Sequence, residues 1–181
     1  MSPVARRADR QGTVLITSFR PWRTYQRSNS SDDLLTEVHR QLPTDVVWLP
    51  QVPVSFQLAP IRVLNELYRL RPRLVICCGM AEKRNVLSLE QQAKRGKNVL
   101  TTSFCLPPLL AGTTHSEISY DAGSYVCNHL YYSVLDFLNH FDLMTAGLFI
   151  HVPLLHSKNK KQVVADFLHI YSQLTQKIGY F

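Results

Sequence analysis

A chain of 181 residues, 45% hydrophobic and 18% charged, has the balance of a folded domain and the length for a substantial core, which excludes a disordered or low-complexity polypeptide. No stretch approaches the roughly 18 apolar residues that span a bilayer, and four cysteines without C-x-x-C spacing exclude a disulfide framework and a zinc ribbon. The net charge of +7 comes from scattered basic residues with no helix-turn-helix spacing, RNP-type aromatic strand or zinc finger, so it reads as solvated surface charge and not as a nucleic-acid interface.

The opening "MSPVARRADRQG" is polar and basic without an apolar core, unlike a secretory leader; it is expected to form a flexible basic tail over 1–12 ahead of one α/β domain over 13–181. "TVLITSF" (13–19) reads as a short buried strand broken at Pro21. "SNSSDDLLTEVHRQL" reads as a helix capped by Ser31, with Leu34, Leu35, Val38 and Leu42 at helical spacing. "DVVWLPQVPV" (45–54) is extended. "LAPIRVLNELYRLRP" is helical, with Ile61, Leu64, Leu67, Tyr68 and Leu70 as its apolar side and Pro72 as its stop.

"RLVICCGM" (73–80) is a continuous apolar run ending near a glycine, the pattern of a central strand covered on both faces. Its adjacent Cys77 and Cys78 then point to opposite faces. "NVLSLE" and "NVLTTSF" read as short extended segments, and "CLPPLLAGTTHSEISY" as mostly loop. A helix starts after Gly123, "TAGLFIHVP" (145–153) is another apolar strand, and a last amphipathic helix carries Val163, Val164, Phe167, Ile170, Tyr171 and Leu174 on one face. Strands alternating with helices predict an α/β fold, a largely parallel (mixed) central sheet with helices on both sides. In such sheets ligands sit beyond the carboxyl ends of the strands, which directs attention to the residues after Phe19, Gly79 and Ile150 and to the turn before Tyr125.

Three residues near those positions are candidates for chemistry. If Ser124 caps its helix, Cys127 falls in the first turn, where unpaired amides and the positive end of the helix dipole favour a thiolate. Cys127 is then either a nucleophile or an ordinary buried cysteine. His151 ends an apolar strand, as a packed histidine bonded to backbone or as a general base. Glu90 closes "NVLSLE", either solvated or turned inward to orient His151. The free, reduced cysteines are those of a cytoplasmic protein.

These segments resemble the pyroglutamyl peptidase I family of cysteine peptidases. "SYDAGSYVCNHLYY" resembles the family's S-x-x-A-G-T-Y-x-C-N-x-x-x-Y nucleophile segment, and "AGLFIHVP" its G-F-I-H-V-P histidine segment. "GMAEKRNVLSLEQQA" follows its G-x-A-x-x-R…E-R-x-A pattern, and "LITSFRPWRTYQRSNSS" its opening G-F-x-P-F…N-P-S. The blocks keep the family's order from about Val14 to Pro153.

The resemblance implies a three-layer α/β/α sandwich of the phosphorylase/hydrolase-like kind, with Cys127 as nucleophile, His151 as general base and Glu90 as orienting acid. It implies that Phe19, Trp22 and Met80 hold a pyroglutamyl ring. The implied partners are a peptide substrate with a blocked N-terminus and a second copy of the chain, in a dimer or tetramer; no cofactor, metal or membrane is implied. The chain departs from the pattern at Ser18, Trp22, Arg23, Thr24, Glu82, Lys83, Gln91 and Arg95. The segment between Glu90 and Cys127 is shorter than in members, and a hairpin and loop region is expected to be missing there. A cysteine amidase for another acyl group and a non-catalytic peptide-binding descendant are the alternatives.

Overall fold

The computed structural model describes residues 13–141 and 143–178, with nothing described of the Ile178 side chain. The expected basic tail over 1–12 lies outside the described residues.

Six strands form the central sheet: β1 (Val14–Phe19), β2 (Val46–Val52), β3 (Leu74–Met80), β4 (Leu87–Glu90), β7 (Ser116–Ser119) and β8 (Ala146–Val152). Their order is β2-β1-β3-β8-β4-β7, parallel except where β4 meets β8 antiparallel. The sheet is therefore mixed, as expected. β1 and β3 are apolar, β-branched runs because helices cover both of their faces.

Helices α1 (Ser30–Val38) and α4 (Lys160–Ile178) pack on one face, closing a core of Leu34, Leu35, Val38, Val163, Phe167 and Ile170 over Ile16, Ile76 and Cys78. Helices α2 (Leu58–Leu70) and α3 (Val126–His140) pack on the other, where Val63, Leu67, Leu130 and Val134 meet Leu15, Val75, Cys77 and Phe149. Cys77 and Cys78 do point to opposite faces.

Local details differ from the sequence reading. The α1 cap is Asn29, whose Oδ1 accepts from the Ser31 N–H at 3.1 Å and the Ser31 hydroxyl at 2.7 Å. Ser31 Oγ in turn accepts from the Phe19 N–H at 3.1 Å, fastening the start of α1 to the end of β1. In α2 the buried residues are Ala59, Pro60, Val63, Leu67 and Leu70, whereas Ile61 and Tyr68 face outward. Arg62 donates to the carbonyls of Gln51 and Pro50 at 3.0 Å each, which fixes the rotation of the helix. Both stripes have helical spacing, and packing against the sheet selects the one that is buried.

The segment from Glu90 to Cys127 does contain a hairpin, β5 (Gln92–Arg95) with β6 (Asn98–Thr101), turning through Gly96 at positive φ. Asn128 on α3 holds it, accepting from the Lys94 N–H at 2.9 Å and donating to the Lys94 carbonyl at 2.8 Å. The "HSEISY" stretch read as loop includes β7, whose approach is clamped by the buried Asp166 of α4 through the N–H groups of Thr114 and His115. Among the described residues, no helix is long and apolar enough to cross a membrane.

Candidate active site

At the carboxyl ends of β1, β3 and β8 lies an open cavity of about 410 Å³. Five of the six residues singled out by the sequence line it: Phe19, Trp22, Met80, Cys127 and His151. The sixth, Glu90, is fully buried behind His151, with its Oε1 2.7 Å from His151 Nδ1. The β4–β8 register makes this contact, since Ser88 pairs with His151 and Glu90 with Phe149 across antiparallel strands. The pairing fixes Nδ1 toward the carboxylate and leaves Nε2 as the other ring nitrogen.

Cys127 arrives from α3. The expected Ser124 cap is not formed; Tyr125 is the capping residue and contributes no side-chain bond, which makes Cys127 the second helical residue. The turn before it spends its polar group elsewhere, with Asp121 Oδ1 accepting from the N–H of Gly123, itself at φ 81°. The first helical bond runs from the His129 N–H to the Tyr125 carbonyl, so the amides of Val126, Cys127 and Asn128 precede the intrahelical ladder. Cys127 is half-buried over Gly79, which is paired in register with His151. A Cβ on Gly79 would lie 2.8 Å from Cys127 Sγ and 2.8 Å from Phe149 Cζ. The absent side chain makes the room the sulfur occupies.

The electrostatics correct one expectation. Burial, with the neighbouring Glu90 carboxylate, pushes the Cys127 thiol up to about 12, against the lowering pull of Arg84. Burial and the Glu90 charge thus oppose the lowering that a helix N-terminus gives a thiol, and they favour the protonated sulfur. Iodoacetamide at pH 7 is accordingly expected to label the exposed Cys105 before Cys127, with Cys127 labelling accelerating toward high pH. Peptide mapping of a time course checks this; preferential labelling of Cys127 at pH 7 is the opposing result. For Glu90 burial raises the carboxyl, but the His151 hydrogen bond and charge, helped by Ser119 and Arg84, outweigh it and leave the pKa below its ordinary value.

Sequence reasoning missed several participants. Arg84 is bonded to Glu90, and Tyr131 donates its hydroxyl to the Glu90 carbonyl at 2.9 Å. An aromatic row runs outward from the cavity: Trp22 to Tyr125 at 5.2 Å between ring centroids, and Tyr125 to Phe56 at 5.6 Å, edge-on. Arg84 had a signal, lying within the quoted "GMAEKRNVLSLE" block; Phe56 had none.

Of the departures from the family pattern, Ser18 and Arg95 lie away from the cavity, and three others line it. Ser18 is buried, donates to Asp32 Oδ1 at 2.5 Å and accepts from Trp48 Nε1 at 3.0 Å, away from the cavity. Arg95 lies over the Tyr132 ring on the flank of α3. Trp22, Glu82 and Lys83 instead stand in the cavity wall, where Glu82 accepts from Gln26 Nε2 at 2.6 Å. Among the described residues, no group of three or more His, Cys, Asp or Glu side chains is placed to hold a metal ion.

Comparison with known proteins finds likeness to enzymes of one kind. The family model of pyroglutamyl peptidase matches residues 111–169, which include Cys127 and His151. A pyrrolidone-carboxylate peptidase of Brachyspira hyodysenteriae is 25% identical, over 77% of this chain and 82% of its own length. Pyrrolidone-carboxylate peptidase 1 of Ralstonia nicotianae is 28% identical, over 79% of each. The crystal structure of pyroglutamyl peptidase I from Bacillus amyloliquefaciens shares the fold with a TM-score of 0.78 at 18% identity, covering 91% of this chain and 95% of that one. Pyrrolidone carboxyl peptidase from Thermococcus litoralis does so at 0.73 and 18%, covering 92% and 96%.

Proposed function

We propose that this chain, which belongs to the pyroglutamyl peptidase family and is an enzyme of that kind, removes an N-terminal pyroglutamyl residue from peptides through a Cys127–His151–Glu90 triad. The observation that carries the reading is the 2.7 Å pair of His151 and Glu90, opening on the cavity that Cys127 also lines.

The raised thiol sets the order of events. His151 Nε2 takes the proton from Sγ as the sulfur attacks the pyroglutamyl carbonyl, so ion pair and bond form together instead of waiting on a preformed thiolate. Glu90, held ionised, accepts the Nδ1–H and stabilises the imidazolium. The uncommitted amides at the start of α3 supply donors for the developing oxyanion beside the sulfur. Collapse of the tetrahedral species breaks the C–N bond, His151 returns the proton to the leaving amine, and a thioester remains on Cys127. Water activated by His151 then releases pyroglutamate and restores the thiol. Phe19, Trp22 and Met80 provide a mainly apolar wall suited to a small, uncharged lactam. A free amino terminus held against those three side chains would lose its hydration with no carboxylate among them to replace it.

Glu82 and Lys83 favour a second reading, a cysteine amidase for another acyl group, because a ring site for a neutral lactam does not need charge in its wall. The test is fluorophore release from pyroglutamyl aminomethylcoumarin by the purified protein, beside Cys127→Ala and beside coumarin amides of unmodified glutamate, proline and acetylated residues. Release from the pyroglutamyl compound alone, abolished in Cys127→Ala, is expected. Release from another acyl amide with none from the pyroglutamyl one would replace the substrate, and release surviving Cys127→Ala would remove the nucleophile.

A further inference from the structure

Arg84 stands where three segments of the chain meet. Its backbone N–H donates to the Ala81 carbonyl at 3.0 Å, closing the turn that follows β3. Nη1 donates to Glu90 Oε1 at 2.6 Å, the same oxygen that faces His151 Nδ1. Nη2 donates to the Asp121 carbonyl at 2.7 Å and to Ser119 Oγ at 3.2 Å. The Arg84 side chain is 22% exposed and borders the cavity, while its Glu90 partner is fully buried.

We infer that Arg84 is a positioning residue: it holds Glu90 as the partner of His151 and, through the same guanidinium, pins the Asp121–Tyr125 turn that delivers Cys127. Acid, base and nucleophile then keep one spacing, because a planar guanidinium presents its donors at fixed angles and one partner cannot shift without the other. A second effect is electrostatic. Two donors meet on one oxygen, Arg84 Nη1 and His151 Nδ1, and both favour the charged carboxylate. The groups facing Glu90 are His151 from β8, Arg84 from the segment before β4, Ser119 from β7, and Cys127 and Tyr131 from α3. Arg84 is the permanent cation among them.

The inference rests on the triad reading above, so its experiment includes a readout that does not depend on turnover. Arg84→Gln, Arg84→Lys and Arg84→Ala are compared with the parent chain for kcat and KM on the pyroglutamyl substrate from pH 5 to 9. The Glu90 carboxyl is followed in parallel by carbon-13 NMR. Loss of such a supporting contact is expected to lower kcat about 10- to 100-fold in Arg84→Gln, with KM changed by no more than about threefold. The Glu90 carboxyl is expected to titrate at higher pH in that variant, carrying the acid limb of the rate profile upward with it. Arg84→Lys restores the acid limb but only part of kcat, since one ammonium keeps the charge and loses the fork. Millimolar guanidinium raises kcat in Arg84→Ala.

A wild-type profile in Arg84→Gln overturns the inference, as does a loss of rate that neither lysine nor guanidinium reduces while the Glu90 titration stays unchanged. If the parent chain does not cleave the pyroglutamyl substrate, that reading of the reaction fails. The Glu90 titration then decides alone: raised in Arg84→Gln it supports the positioning contact, unchanged it overturns it. Should Arg84→Gln not fold, Arg84→Lys is read in the same two measurements.

Discussion

Glu90→Gln is expected to reduce cleavage of the pyroglutamyl substrate on the order of 10³- to 10⁴-fold, because an amide keeps the shape of the carboxylate and loses what the base requires from it. Its NH₂ group facing His151 would favour the tautomer with the proton on the wrong nitrogen. Its neutral oxygen would leave the imidazolium formed during attack without a counter-charge. The same substitution strips Arg84 of its anionic partner at a site where Glu90 is fully buried. Breaking a buried pair from one side is costly, and with Arg84 still 22% exposed to water the loss should sit at the lower end, about 3 kcal/mol.

The stability difference should depend on pH with a definite sign. The Glu90 carboxyl is lowered in the fold relative to its ordinary 4.5, so its contribution is fully present above that value and is lost as pH falls through the folded pKa. Urea unfolding of both proteins between pH 7 and 3 would show the two curves converging in the acid range. Curves separated by the same interval at every pH would contradict the assignment of charge to Glu90.

Gly79→Ala is expected to disable the site without replacing any of the three side chains of the triad. The added methyl would meet Cys127 Sγ and Phe149 Cζ at 2.8 Å each, closer than such carbons approach in folded proteins. Phe149 is fully buried and packed against Tyr131 at 5.7 Å between centroids, so it cannot retreat, and the sulfur must give way. Displacing a reacting atom by an ångström costs about 10²-fold in rate, and the overpacking itself costs about 1–3 kcal/mol. Kinetics beside thermal unfolding would check both. Unchanged kcat in Gly79→Ala would mean that the position of the sulfur over Gly79 is not the reactive one.

Much of this arrangement was legible in the residues. Apolar runs such as "RLVICCGM" and "GLFIHVP" declare buried parallel strands, because only strands covered on both faces dispense with alternation. That periodicity also placed Phe19, Met80 and His151 at strand ends, and the sheet geometry then brought them to one cavity. Linear sequence placed Leu67 and Leu70 on the apolar side of α2 but could not tell that Ile61 and Tyr68 face outward while Ala59 and Val63 are buried, since both sets fall at helical spacing; contact with the sheet made the choice.

It could not reveal the antiparallel turn of β4 against β8 either, although that pairing is what carries Glu90 to His151. Nor could it give the sign of the Cys127 shift. Local sequence supplies the helix N-terminus that lowers a thiol, whereas the Glu90 charge that raises it comes from 37 residues away and the burial from tertiary packing. Residue types and their spacing are properties of the chain and determined the fold class and the candidate residues. Burial, register and the field at an atom are sums over neighbours distant in sequence, and only the folded structure decided them.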